Sequence, residues 1–303
     1  MGGAYVAVED GLAAALYNPA NGGGYRGLAA GGFKLFLNPW TPGLALSDPE
    51  RFFRHSEAPV SQAFAMAGLL IKGFTLGVGR IDLAAVIAEQ ATGVHLLPSA
   101  ANETAGYLDN QFNLMALRLR LAERVSLGCA LGLYYYVDPG SRREWKLRAS
   151  YGITLAPDRK VLVGVSYITL PPDSLGAYRQ HPERLVDGSV NLGISYKPAR
   201  GTTLAFDFRN LVEERTEMVR EPHLGVEQAI FSVTALRAGA FRQSETGEVA
   251  LTAGLGVVDL GSILSSGRNE SMPNWLFNYG IVVEKSGGVY NRFIHALSVS
   301  LRI

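Results

Sequence analysis

The sequence predicts an all-β protein: a closed transmembrane antiparallel β-barrel of about fourteen strands. Three observations lead to this prediction. Segments with apolar residues at alternate positions recur along the 303 residues. Many of them run for ten to thirteen residues, whereas strands in globular proteins have a most common length of roughly 5–6. Charged residues make up only 18% of the chain, against roughly 25% in an average soluble domain.

The alternation is clearest over residues 145–156. There Trp145, Leu147, Ala149, Tyr151, Ile153 and Leu155 alternate with polar or small residues. Successive side chains of a strand point to opposite faces, so the segment has one apolar and one polar face. A strand crosses a membrane in about 9–11 residues, and closing the sheet satisfies its edge amides. A soluble β-sandwich is the alternative, but it does not explain so many long strands.

Composition and motifs exclude several other classes of protein. The longest apolar run, 63–71, has nine residues, far short of the roughly 20 that a transmembrane helix needs. The 28 basic and 27 acidic residues nearly cancel, so nothing indicates nucleic acid. A single cysteine, Cys129, and five histidines without metal-ligand spacing predict no disulfide and no metal site. No nucleotide-binding loop or nucleophile elbow is present, so we expect neither a cofactor nor an enzyme.

Fourteen strands place both termini at one end of the barrel, the periplasmic end if the protein lies in a bacterial outer membrane. Short turns fall at that end, and long connections at 38–61, 85–110, 171–186 and 212–221 fall outside the cell, as in known barrels. One connection, 260–274, is long although it falls at the periplasmic end, among the short turns. The predicted strands are 28–37, 62–71, 74–84, 111–122, 125–137, 145–156, 161–170, 187–198, 201–211, 222–230, 233–243, 247–259, 275–285 and 290–303.

The first twenty residues read MGGAYVAVEDGLAAALYNPA. This opening resembles the N-terminal signature of the FadL outer-membrane transporter superfamily, and is closest to the PorV/PorQ-like branch. The stretches HLGVE at 223–227, LRAGAF at 236–241 and TAGLG at 252–256 are similar to that branch as well. The resemblance implies a bacterial outer-membrane barrel of fourteen strands with an N-terminal hatch inside the lumen. Residues 1–27 would form the hatch and residues 28–303 the barrel.

Asn18, Pro19 and Ala20 follow a helix-like, alanine-rich stretch at 12–16. Proline removes an amide donor and disfavours helix at the residue before it, so we expect a break here. From the residues alone the segment is an N-terminal plug, and the resemblance implies that it is the gate. Glu9 and Asp10 would be able to pair with arginines that point into the lumen.

Six charged residues fall on the polar face of predicted strands and are expected to line the lumen. Two interpretations remain open: a wet, charge-balanced lumen, or a basic lining that guides an anionic ligand such as a carboxylate. The six residues are Arg118, Arg120, Lys146, Arg148, Asp207 and Arg209.

The predicted loop 38–61 carries an apolar cluster that would serve ligand capture. Asp48 is a favoured helix N-cap residue, and the proline after it suits the first position of a helix. A short helix is therefore predicted to begin there. The cluster is either a hydrophobic reception site or a lid packed on the barrel rim. Its members are Trp40, Leu44, Phe52 and Phe53.

Two functions follow from these observations. In the first, a hydrophobic and possibly carboxylate-bearing small molecule passes through the barrel passively. In the second, the protein resembles PorV as a non-transporting scaffold or shuttle of type IX secretion, and its extracellular loops bind secreted proteins. Both need outer-membrane lipid around the barrel.

Overall fold

The computed structural model describes most of the predicted barrel and part of the N-terminal segment. The described residues are 1–8, 14–15, 17–21, 33–37, 71–90, 111–137, 143–170, 187–209, 211, 220–230, 234–242, 248–257, 274–286 and 289–302.

Among the described residues, 14, 15 and 17 are α-helical, a 3-10 turn lies at Pro19–Asn21, and the other elements of regular structure are strands. The fourteen strands formed by the described residues are β1 Phe33–Leu37, β2 Ile71–Val78, β3 Ile81–Gln90, β4 Gln111–Ala122, β5 Val125–Val137, β6 Arg143–Leu155, β7 Val161–Leu170, β8 Asp187–Tyr196, β9 Thr202–Arg209, β10 Glu221–Ile230, β11 Thr234–Arg242, β12 Val249–Val257, β13 Asn274–Ser286 and β14 Val289–Arg302.

Each strand pairs antiparallel with its neighbours in the chain, so the prediction of an all-β, antiparallel architecture is confirmed. The first and last strands also pair, with Lys34 opposite Arg302 and Leu37 opposite Val299. This pairing joins the two edges of the sheet into a closed barrel. Closure leaves no open sheet edge whose amides would lack partners.

The distribution of side chains is the reverse of that in a soluble protein. Large apolar residues are exposed at alternate positions; Leu147, for example, is 64% exposed and Met115 52%. Polar residues such as Asn191, Asp207 and Glu284 are buried. Charged and polar side chains therefore face the barrel interior, and the outer face is the apolar surface that lipid requires.

Alternation fixes the register of the long strands. In β5, Leu127, Cys129 and Leu131 are exposed, while Ser126 and Ala130, at positions of the other parity, are buried. Leu127, Cys129 and Leu131 therefore lie on the outer face of β5. The bounds of β4, β5 and β7 agree with the prediction to the residue.

The predicted second and third strands, 62–71 and 74–84, are wrong. β2 runs over Ile71–Val78, and the turn lies at Gly79 and Arg80, not at 72–73. Gly79 has a φ of 61°, a left-handed conformation that glycine adopts without steric cost, and Val78 pairs with Ile81 across the turn. The predicted connection 85–110 is shorter for the same reason, since 85–90 belong to β3.

The strand order places short turns at one end of the barrel, called here the short-turn end. They join β2 to β3, β4 to β5, β6 to β7 and β8 to β9. Longer connections, among them 38–70 and 171–186, join strands at the opposite end. Among the described residues, no helix has the length and apolar character needed to cross a membrane.

Candidate functional site

The N-terminal segment lies inside the barrel, against the inner face of β4 to β12. Its described residues are almost all buried, and Ala4, Val6, Asn18 and Asn21 have no exposed surface. They contact side chains of the polar face, the face that points away from lipid. The segment has two limbs, which we define as the first limb (residues 1–8) and the second limb (residues 17–21).

The first limb is held along β8 and β9 by side chains that bond its backbone. The Asp207 carboxylate accepts hydrogen bonds from the amides of Tyr5, at 2.6 Å, and Val6, at 2.9 Å. The Ser195 hydroxyl donates to the carbonyl of Ala7 at 2.6 Å. Hydrogen bonds to a charged group are stronger than neutral ones, so Asp207 is the main anchor of this limb.

Gly2 and Gly3 reach further round the wall, to β10 and β12. The Gly2 amide donates to the Thr252 hydroxyl at 2.8 Å, and its carbonyl lies 2.6 Å from His223 Nδ1. The Arg209 guanidinium donates to the carbonyl of Gly3. Gly2 has a φ of 57°, and a Cβ there would collide with the backbone of β10 and β11. Only glycine fits at this position.

The second limb is held against β6 and β7. The Ser166 hydroxyl donates to the carbonyl of Tyr17 at 2.8 Å. The Thr154 hydroxyl donates to the Asn21 side-chain oxygen at 2.6 Å, and the Asn18 amide group donates to the Ile153 carbonyl at 3.3 Å. Pro19 and Ala20 form the 3-10 turn between the two asparagines.

The two limbs are joined to each other at the carbonyl of Val6. It accepts hydrogen bonds from Asn18 Nδ2 at 2.9 Å and from Asn21 Nδ2 at 2.7 Å. The rings of Tyr5 and Tyr17 also stack, with centroids 5.3 Å apart. Asn18 and Asn21 therefore bond both to the other limb and to the wall, so the limbs form one folded unit.

A row of glycines on the inner face lets the backbone of this unit approach the wall. Three pairs are cross-strand partners in the sheet: Gly128 with Gly152, Gly164 with Gly193, and Gly225 with Gly239. A Cβ at any of these six positions would come within 3.0 Å of an atom of the N-terminal segment. We call these six residues the glycine row. It follows the path of both limbs across the sheet.

Of the six charged residues predicted to line the lumen, Arg118, Asp207 and Arg209 are buried on the inner face, and Arg120 is half-buried. Arg148 is on the same face of β6 as Ser150 and is exposed. The side chain of Lys146 is outside the described residues.

Five of the described charges of the lumen lie next to opposite charges: Asp82, Arg118, Arg120, Asp207 and Arg209. Asp82 lies 3.4 Å from Arg120 and 4.0 Å from Arg118, and Arg118 also donates to the Ser126 hydroxyl at 3.1 Å. Asp207 lies 3.8 Å from Arg209. This arrangement favours a charge-balanced lumen over a uniformly basic lining.

The predicted capture cluster, Trp40, Leu44, Phe52 and Phe53, lies outside the described residues. So do Glu9 and Asp10, the proposed partners of the lumen arginines. His223, Thr252 and the glycine row also lie on the inward-pointing face and were not predicted as site residues from the sequence. The available signal was the repetition of glycine at that parity on adjacent strands.

No protein-family model matches the chain, and no curated protein matches it. Among solved structures the chain is similar to the CymD monoaromatic hydrocarbon channel. The match has 12% sequence identity and a TM-score of 0.48, and covers 98% of this chain and 93% of that one. A mutant of the Rh. blastica porin matches at 12% identity and a TM-score of 0.40, over 76% of each chain.

Proposed function

We propose that this chain is a FadL-type β-barrel of the bacterial outer membrane that lets small hydrophobic molecules pass passively. Both termini lie on the periplasmic side, and residues 1–27 are a hatch that closes the lumen at rest. The observation that supports this best is the docking of the N-terminal segment on the inner wall by hydrogen bonds between wall side chains and its backbone.

Contacts of this kind suit a hatch, because they hold the segment and can still be released. A neutral hydrogen bond contributes a net of about 0.5–1.5 kcal/mol, and one to a charged group about 1.5–3 kcal/mol. Water that enters an opening lumen can replace the partner at each site. Asn18 and Asn21, which bond both limbs, would allow the segment to leave the wall as one unit.

The class of molecule follows from the sequence resemblance, and the wall adds one feature to it. Arg118 and Arg209 carry guanidinium groups on the inner face, and a guanidinium can bind a carboxylate in a bidentate manner. A hydrophobic molecule with an acidic group would therefore find partners along the route once the hatch is displaced.

Deleting residues 1–24 tests the hatch. In planar bilayers the intact protein should conduct near zero, and the deleted protein should show a steady open level, because the wall contacts of the segment are gone. The D207A variant, which removes the main anchor of the first limb, should open part of the time. Folding is checked by heat-modifiable migration in gels.

Uptake of a hydrophobic fluorescent acid into proteoliposomes tests the class of molecule. The deleted protein should take up the probe faster than the intact one. Equally low conductance and uptake of both proteins, in folded barrels, would contradict the hatch and the channel. That result would favour the non-transporting scaffold of the PorV type, whose partners are proteins at the long connections.

A further inference from the structure

The short-turn end of the barrel carries a band of exposed basic residues, which we call the basic rim. It follows consecutive hairpins from β2 to β9, and every member is exposed. Only two acidic residues, Glu123 and Asp158, are exposed among the same turns. Six basic against two acidic residues leave a net charge of +4. The basic rim consists of Arg80, Arg124, Arg159, Lys160, Lys197 and Arg200.

The basic rim lies directly beyond the lipid-facing surface. The C-terminal ends of β4, β6 and β8 carry exposed apolar residues, Leu121, Leu155 and Tyr196. The nearest rim residues follow within one to five positions, and a strand rises about 3.3 Å per residue. The headgroup layer on each side of a bilayer is roughly 5–7 Å thick. The charged groups therefore lie beside the end of the apolar belt, within reach of the headgroup layer.

Three rim side chains are held along the perimeter by the neighbouring hairpin. Arg80 donates to the carbonyl of Leu121 at 3.2 Å, and Arg124 to that of Pro157 at 3.1 Å. Lys160 donates to the carbonyl of Pro198 at 3.4 Å. These bonds reinforce the rim. Each uses one donor, whereas a guanidinium has five and an ammonium three, so donors remain for a further anion.

One of the two acidic residues is occupied by its own turn. Asp158 Oδ1 accepts hydrogen bonds from the amides of Lys160, at 2.6 Å, and Val161, at 2.9 Å. Its charge helps to shape the turn, and the amides partly satisfy it. Asp158 is therefore held by the backbone of its own turn, and its charge is already included in the net +4 of the turns.

We propose that the basic rim binds the phosphate headgroups of anionic phospholipids in the leaflet at the short-turn end. The sign of the charge, its depth next to the apolar belt and its position on the outer perimeter all fit a phosphodiester on a lipid. The inference rests on the barrel spanning a bilayer and is independent of whether the lumen opens.

Native mass spectrometry of the intact protein in mixed micelles tests this proposal. Micelles contain equal amounts of phosphatidylglycerol and phosphatidylcholine, and the retained lipids are counted. The variant combines Arg159→Gln, Lys197→Gln and Arg200→Gln, which leaves the three bonds between hairpins in place. The control is Arg242→Gln. Arg242 is exposed at the last residue of β11, at the end of the barrel opposite the basic rim. The effect of Arg242→Gln is compared with that of Arg200→Gln alone.

We expect the intact protein to retain phosphatidylglycerol preferentially. A basic side chain near an anionic surface strengthens binding about fivefold. In the triple variant the ratio of retained phosphatidylglycerol to phosphatidylcholine should therefore fall at least about tenfold. Arg200→Gln should weaken the preference more than Arg242→Gln does. Equal retention of both lipids by the intact protein would overturn the proposal. So would an unchanged preference in the folded triple variant, or equal effects of the two single variants.

Discussion

Adding one methyl group to the glycine row should displace the N-terminal segment, the proposed hatch, without disturbing the barrel. Gly164 is the informative position, because its Cβ would collide with the carbonyl of Val6 and lie 3.0 Å from Asn18 Nδ2. The wall cannot yield easily, since Gly164 is paired with Thr154 on one side and Gly193 on the other. In Gly164→Ala the N-terminal segment must therefore move.

The expected magnitude follows from the contacts of the Val6 carbonyl. Forcing an extra methyl into a packed site costs about 1–3 kcal/mol. The carbonyl accepts two hydrogen bonds, from Asn18 and Asn21, and losing both costs about 1–3 kcal/mol more at the usual net value per bond. The sum of about 2–6 kcal/mol lowers the equilibrium constant for docking of the N-terminal segment by at least roughly thirtyfold, since about 1.4 kcal/mol is tenfold.

Single-channel recording in planar bilayers measures this change as open probability. Gly280→Ala is the matched control, because the nearest atom to a Cβ at that position, the carbonyl oxygen of Ala253, is 3.7 Å away, an ordinary contact. Gly164→Ala should open far more often than the intact protein, and Gly280→Ala should behave like it. If folded Gly164→Ala stays as closed as the control, the docked segment does not determine closure.

Two further predictions concern the outer face and the long connection. Leu131→Arg places a charge on the lipid-facing surface near the middle of β5 and should lower the free energy of unfolding in vesicles by about 2–4 kcal/mol. Leu121→Arg, at the end of β4, should cost only about 0–1 kcal/mol; equal costs would contradict the assigned membrane depth. Replacing Phe52 and Phe53 with serine should slow uptake of a hydrophobic probe while gels still show a folded barrel. Unchanged uptake would mean that the cluster does not capture ligand.

The long strands could be predicted from the sequence where one face is apolar and the other is polar or small. In β5 the two faces differ in this way at nearly every step, and any shift by one residue would exchange them. β2 and β3 lack this constraint. Their turn at Gly79 follows apolar residues that continue on both sides, so the pattern alone did not locate it.

The site was predictable only in part, for a related reason. Parity is local, and it placed Arg118, Asp207 and Arg209 on the inner face. The glycine row depends on the cross-strand register, which pairs Gly164 with Gly193. Predicting this register from the sequence requires every turn to be placed correctly. The partners of Asp207 are amides of residues about two hundred positions earlier, a separation that no local pattern reveals.

The docking of the N-terminal segment also has a consequence for the order of assembly. Its first residues bond to strands made much later, and the Gly2 amide reaches Thr252, which lies 250 residues further along. Such distant contacts form slowly, because a long loop must close before they contribute. The receiving surface extends from β4 to β12, so most of the chain must already be paired. The N-terminal segment is therefore among the last parts of the fold to reach its final position.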